Sequence, residues 1–481
     1  MKRREFLATV SRLGAVAALV LCPGTLLALD ELHVVRGRVL GDGQPLADVL
    51  VSDGCHVVRT DARGEYALPT GPSSGRFVFV TTPRGYWSDE FYVLTGDALK
   101  TGRADFGLRR VPQSDRFDFV FMADMHLERG GVGIAKLKAS IAEINRLEPA
   151  PAFLLAQGDI CLQSGVGKDY EECLRGAKMP VRNGPGNHEM MLRHENPRDD
   201  FQRLFGPTYY SFDWGPVHVV VLDGNKPIPE ETGWKAVHGA VEGSELLWLK
   251  ADLAAQPDGK PIVVGVHIPV VSSYPKRRKQ SPKDAPYWEM ANRELLTELF
   301  ARHNVRLVLQ GHMHENERTT IAGVEYVASI SICGSWWKNG AGFERGVDNS
   351  PRGYRIVSVD GRKISHRYQS SCESRVDHRG EFYGLGDPVK ADKQSAFIFN
   401  CYDAPHGATA QARLDGGAWL PMPAFAAPSP ATSGLTMPHH FRLVTDTTDL
   451  PPGAHRIEAR VTWPDKTVVV EEDKFVLADL R

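Results

Sequence analysis

Phe117-Asp118-Phe119-Val120-Phe121-Met122-Ala123-Asp124-Met125-His126 is the stretch from which the fold of this chain is read. Phe117 to Phe121 make a buried strand, and soon after it Ile134, Leu137, Ile141, Ile144 and Leu147 recur at helical spacing. Further strands are expected at Phe153-Leu154-Leu155, Val217 to Leu222, Ile262 to Val266 and Val305 to Leu309. Strands alternating with amphipathic helices define a layered α/β domain, which we place over residues 115–335.

Five short motifs occur in order within this block: Asp124-Met125-His126, Gly158-Asp159, Gly186-Asn187-His188-Glu189, His267-Ile268-Pro269 and Gly311-His312-Met313-His314. Four of them directly follow a predicted strand or the turn after it. Residues just past the carboxyl ends of strands in an α/β sheet converge on one crevice, so distant positions share a site. Carboxylate and amide oxygens with imidazole nitrogens, and no cysteine among them, suit Mn, Fe or Zn better than a structural thiolate zinc. A cluster of two ions needs this many ligands.

The ordered set resembles the signature of the calcineurin-like metallophosphoesterases over roughly residues 117 to 335. The resemblance implies a central layered β-sandwich flanked by helices and two divalent metal ions. Asp124 and His126 then bind one metal, Asp159 bridges both, Asn187, His267 and His312 bind the second, and His314 returns to the first. Two cations about 3.5–4 Å apart share a hydroxide and clamp the entering and leaving oxygens at phosphorus. The same resemblance leaves His188 off the metals, as an acid or charge stabiliser facing the phosphate or leaving group. Glu189 is either a partner orienting a ligand or His188, or a plain turn acid.

Other features of the block are given structural roles. Tyr209 and Tyr210 are assigned to the core and Lys276-Arg277-Arg278-Lys279 to a solvated loop, while Ser335-Trp336-Trp337-Lys338 is read as packing between domains. His194 is placed within reach of the substrate.

Small all-β units are expected on both sides. From His33 to about Arg110 short β-branched runs alternate with Gly, Asp and Pro turns, and Thr60-Asp61-Ala62-Arg63-Gly64-Glu65-Tyr66 resembles a transthyretin-like module over residues 33–110. Strand-like pieces at Tyr354-Arg355-Ile356-Val357, Ala396 to Phe399 and His455 to Val461 indicate a C-terminal β-rich domain over 350–481, with a linker near Ser371 to Lys393 and a long loop from Pro421 to Pro438.

Residues 1–28 carry Arg3-Arg4-Glu5-Phe6-Leu7, an apolar run and Ala28 before Asp30-Glu31, which resembles a twin-arginine signal peptide. The expected location is periplasmic or secreted, with no membrane span in the mature chain. Seven cysteines leave six once the signal is removed, which permits disulfides without demanding them. A net charge of −2 over 481 residues gives no sign of a nucleic-acid partner. The sequence therefore reads as an exported hydrolase of phosphomonoesters or phosphodiesters on small molecules, lipids or polymers. The alternative is an exported binding or adhesion protein that has lost catalysis on the same scaffold.

Overall fold

In a computed structural model the chain is described at residues 33–190, 195–334, 344–371, 378–383, 385 and 388–478. Residues 1–28, His194 and Ser335 to Lys338 lie outside them. Two sheets form the centre. One has the strand order Val181–Gly184, Leu154–Gln157, Arg116–Ala123, Gly353–Asp360, Lys363–Ser370. The other runs Tyr210–Trp214, Val217–Val221, Ile262–Val266, Val305–Gln310, Val324–Ala328, Glu317–Ile321. The strands that precede the five motifs are parallel to their motif-bearing neighbours, as in Val120 beside Leu154 and Val263 beside Leu307. Strands buried on both faces need near-continuous apolar runs, and Ile262–Val266 is buried at every position. The helices Val132–Ile144 and Gly167–Arg175 cover the outer face of the first sheet through Leu137, Ile141, Ile144, Tyr170 and Cys173.

The hairpin Gly353–Asp360/Lys363–Ser370 corrects the expected start of the C-terminal β-rich domain at residue 350. It pairs antiparallel with Arg116–Ala123, Phe119 opposite Val357, and so completes the first central sheet. Its alternating pattern reads alike in either place; burial of Tyr354, Ile356 and Val357 against the central core decides. The remaining C-terminal strands build two sheets, Gly380–Tyr383 with Ser395–Cys401 and His440–Thr445, and Leu420–Met422 with Thr409–Leu414, Gly453–Thr462 and Val468–Leu477. Leu420–Met422 thus turns part of the expected Pro421 to Pro438 loop into strand.

The N-terminal sandwich, from His33–Gly41 to Phe106–Arg110, shares one hydrophobic core with the second central sheet. Trp87 packs edge-on against Phe212 and Trp214, with ring centroids 5.9 and 5.6 Å apart, and the Arg182 guanidinium lies 3.7 Å over its ring. Asp213 N–H donates to Thr82 O at 2.8 Å, joining the backbones of the two units. Tyr209 and Tyr210 do serve packing: their hydroxyls donate to Gly54 O and Asn183 O.

Only part of the basic run is solvated: Lys276 and Lys279 are exposed, whereas Arg277 and Arg278 are half-buried. Arg277 is inserted between modules, paired with buried Glu315 and donating to Thr436 O, and the Arg278 guanidinium sits 4.9 Å over Trp288. Among the described residues Cys161, Cys173, Cys333 and Cys401 are buried free thiols.

His218, on the strand Val217–Val221 of the second sheet, is buried 2.7 Å from Asp252 and 2.8 Å from Asp213. Burial alone would lower its pKa, but the two carboxylates outweigh it and raise it from the ordinary 6.5 to about 9. A raised histidine contributes stability that is complete below the unfolded pKa and lost as pH rises through the folded one. Urea unfolding between pH 6.5 and 9.5 is expected to show a loss of roughly 3 kcal/mol that His218→Gln removes; parallel pH profiles for the two proteins would refute this.

Candidate active site

All five motif strands end at one crevice. Asp124 follows Arg116–Ala123 and His267 follows Ile262–Val266 directly; Asp159 and His312 come one glycine after Leu154–Gln157 and Val305–Gln310. Asn187 opens a short turn after Val181–Gly184. The backbone leaves the extended region abruptly here: φ is +59° at Asp124, +54° at Asp159, +71° at His312 and +52° at His314. A non-glycine residue in this region costs about 1–2 kcal/mol, so the surroundings must hold it. Asp124 N–H donates to Gly158 O, His126 N–H to Asp159 O, and His312 N–H to the Asp124 carboxylate at 3.0 Å.

Two glycines of the motifs are required by closeness. Gly158 has φ +78°, and a Cβ on it would lie 2.4 Å from His267 Nδ1; a Cβ on Gly186 would lie 2.2 Å from Asp159 Oδ1.

Glu189 is the brace between loops. Its buried carboxylate accepts N–H bonds from Asp159 (2.8 Å), Ile160 (2.9 Å), Cys161 (2.9 Å) and Gly186 (2.8 Å). Burial, followed by the charge of Asp159, pushes its carboxyl up to about 7 against these bonds. Through these four N–H bonds it orients the backbone of both motifs, including that of Asp159.

At the centre, Asp159 Oδ2 lies 3.1 Å from His267 Nε2, 3.4 Å from His126 Nε2 and 3.9 Å from His188 Nε2. Asp124 Oδ1 lies 3.3 Å from His314 Nε2 and 3.9 Å from His126 Nε2, and the Nε2 atoms of His126 and His314 are 2.9 Å apart. The outer nitrogen of each imidazole is anchored: His267 Nδ1 on Gln157 O, His312 Nε2 on Tyr287 O, His314 Nδ1 on Gly334 O and His126 Nδ1 against Cys161 Sγ. An N–H given to a carbonyl leaves the other ring nitrogen as a lone-pair donor, the arrangement that metal-ligating histidines need.

Charge is unevenly spread over the cluster. Burial would lower His267, but Asp159 and then Asp124 raise it to about 9; His314 is raised against burial by Asp124. His126 falls, chiefly through burial, and His312 falls to about 4 through burial and then His267. Asp159 is held low by His267 and His188 despite its burial.

The donors fit divalent cations. Asp124, His126 and Asp159 form one group of ligand atoms lying within 4.8 Å of one another, and Asp159, His267 and His312 form a second. Asn187 Oδ1 is buried without a hydrogen bond, as expected of an atom whose partner is an ion. Asp159 belongs to both groups. Two cysteines flank the centre: Cys161 Sγ stands 3.2 Å from His126 Nδ1, and Cys333 completes a group with His126 and His314. Cys161, two residues after Asp159, was legible as a neighbour of its motif, whereas Gln157 O, Tyr287 O and Gly334 O carry no residue-type signal.

Fold and site together define a metal-dependent hydrolase. Family models described as calcineurin-like phosphoesterase match residues 117–316, those of its N-terminal part residues 33–111, and those of its C-terminal part residues 325–463. The chain belongs to the calcineurin-like phosphoesterases, phosphoric ester hydrolases that use divalent metals. It is 27% identical over 247 residues to the serine/threonine-protein phosphatase CPPED1 of Danio rerio, spanning 48% of this chain and 73% of that protein. It is 26% identical over 189 residues to a probable cyclic nucleotide phosphodiesterase of Rhodococcus erythropolis, spanning 39% and 54%. Among solved structures it is similar to the purple acid phosphatase PPD1 of Lupinus luteus, with 14% identity, a TM-score of 0.39 and coverage of 72% and 68%.

Removing the brace is expected to loosen both motif loops. Glu189→Ala leaves buried N–H groups unpaired, and chemical unfolding should show a loss of roughly 2–4 kcal/mol; stability equal to the parent protein would contradict the bracing role.

Proposed function

We propose that this protein is an exported phosphate-ester hydrolase whose centre holds two divalent cations, Mn, Fe or Zn. Asp124, His126, Asp159 and His314 would surround one, and Asp159, Asn187, His267 and His312 the other. The observation that carries this reading is the position of Asp159, whose carboxylate faces imidazoles of both donor groups from within one buried crevice. When bound, two such ions supply Lewis acidity toward the phosphoryl oxygens and neutralise charge that develops during displacement.

The protein's own contribution beyond holding the ions falls to His188. Its side chain is 29% exposed, against 2%, 0% and 1% for His126, His267 and His314, so it alone of these four can meet a substrate. Its backbone N–H donates to Asp159 Oδ1 at 3.0 Å, and its ring stands edge-on to His126 at 4.9 Å, which fixes where the imidazole emerges. From there it donates a hydrogen bond to a phosphoryl oxygen or a proton to the departing alkoxide.

The substrate is a phosphate monoester or diester on a small molecule, lipid or polymer. Relatives named for each ester type support leaving both within the reading. Export rests on the Arg3-Arg4 leader read in the sequence and points to a periplasmic or secreted location. Among the described residues no helix is long and apolar enough to cross a membrane.

The test is hydrolysis of p-nitrophenyl phosphate and bis-p-nitrophenyl phosphate by leader-free protein, with and without added Mn, alongside elemental analysis. His188→Ala should lower kcat by roughly 10²–10⁴ while metal content stays at the parent level, and Asp159→Ala should lose metal. Undiminished turnover in His188→Ala would remove its assignment, and full metal content in Asp159→Ala would remove the shared ligand.

A further inference from the structure

His314 holds a left-handed backbone, φ +52°, and its carbonyl accepts Val347 N–H at 2.9 Å. Two residues on, Asn316 N–H donates to Asp348 Oδ2 at 2.8 Å. The turn 346–350 therefore runs alongside the segment that carries this ligand and grips it on both sides of Glu315. The fit is close: a Cβ on Gly346 would lie 2.5 Å from His314 O. Asp348 closes its own turn by accepting Ser350 N–H at 3.0 Å and the Ser350 hydroxyl at 3.1 Å. Gly334 O fixes the rotation of the His314 ring, while Val347 and Asp348 fix where its backbone sits.

This turn is itself held from the C-terminal sheets. His439 Nε2 donates to Asp348 Oδ2 at 3.1 Å, Asn400 Nδ2 donates to Asp348 O at 3.1 Å, and Ser429 Oγ donates to Val347 O at 2.6 Å. His439 and Asn400 also bond each other, Nδ1 to Oδ1 at 2.8 Å. Asn400 lies on the strand Ser395–Cys401, and His439 directly precedes His440–Thr445, which pairs with that strand. Paired strands thus back the contact. Burial would raise the Asp348 carboxyl, but His439 and then the N–H groups of Asn316 and Ser350 hold it below the ordinary 3.8, so it stays an acceptor. A buried carboxylate that loses one of its donors is left partly unpaired, which disturbs its other bonds. Apolar packing follows the same route: Met313, between the two motif histidines, shares a buried cluster with Val347 and Leu435.

We propose that His439 and Asn400 are positioning residues of the metal centre: acting through Asp348, they hold His314 where it receives its ion. The proposal rests on the two-cation reading of that centre, and it makes the C-terminal sheets part of the ligand support.

Mn titration of leader-free protein, read by elemental analysis and electron paramagnetic resonance, tests this without turnover. The unaltered protein is expected to take up a pair of ions and to show the exchange-coupled signal of close neighbours. His439→Ala should weaken the ion at His314 by roughly 10–100-fold, the effect of losing a group that orients a ligand, and leave the signal of an isolated ion. His439→Gln keeps an N–H close to the place of Nε2 and should restore the pair; both variants bear the left-handed backbone of this position, φ +48°, so the donor is what separates them. Amide exchange on metal-free protein, followed by mass spectrometry, should be about tenfold faster over residues 312–318 in His439→Ala. Circular dichroism checks folding, and Asn400→Ala takes the place of His439→Ala if that variant does not fold. A folded His439→Ala that binds both ions as the parent does, equal loss in His439→Gln, or unchanged exchange over 312–318 overturns the positioning role. A single ion or none in the unaltered protein sinks the two-cation reading instead, and the exchange result, which needs no ion, still decides whether His439 holds the segment.

Discussion

The carboxylate of Glu189 is the contact on which the crevice depends. Two loops from separate strands, one carrying Asp159 and the other Asn187 and His188, must stay in register while several of their neighbours hold left-handed backbone. Four N–H bonds to one buried carboxylate meet that demand without a side chain entering the centre. The imidazoles are held by a different device, carbonyl oxygens behind them, which aims their lone pairs inward. Ligand direction is thus decided by backbone, and ligand identity by side chain.

The two flanking units are attached by contrasting physics. The N-terminal sandwich merges with the second central sheet through Trp87, Phe79, Trp214 and Trp248. The C-terminal sheets are also held by polar contacts: the buried pairs Arg355 to Asp403 at 2.7 Å and His439 to Asp348 at 3.1 Å, and the half-buried pair Arg345 to Glu381. Apolar contact is tolerant of small shifts, whereas a buried ion pair demands geometry and is strongly destabilised when one partner is removed.

Much of the centre was legible because its signals are local. Ile262 to Val266 reads as strand from five consecutive residues, and each motif sits within a turn of a strand end. What stayed hidden is non-local. The alternation of Gly353–Asp360 is the same whether it pairs with Arg116–Ala123 or with a C-terminal strand, so only packing assigns it. Arg277 looked solvated in a basic run because its partners, Glu315 and Thr436 O, are far along the chain. The carbonyl anchors have no residue type to read.

The merged apolar core has a consequence for how the chain is made. Trp87 and Phe79 are synthesised more than a hundred residues before Phe212, Trp214 and Trp248, the rings that cover them. During synthesis the sandwich therefore waits with one sticky face uncovered, a window in which aggregation competes with assembly. Its burden on the cell lies in that interval, and a holding chaperone or slow dilute synthesis would relieve it before any change to the finished fold could.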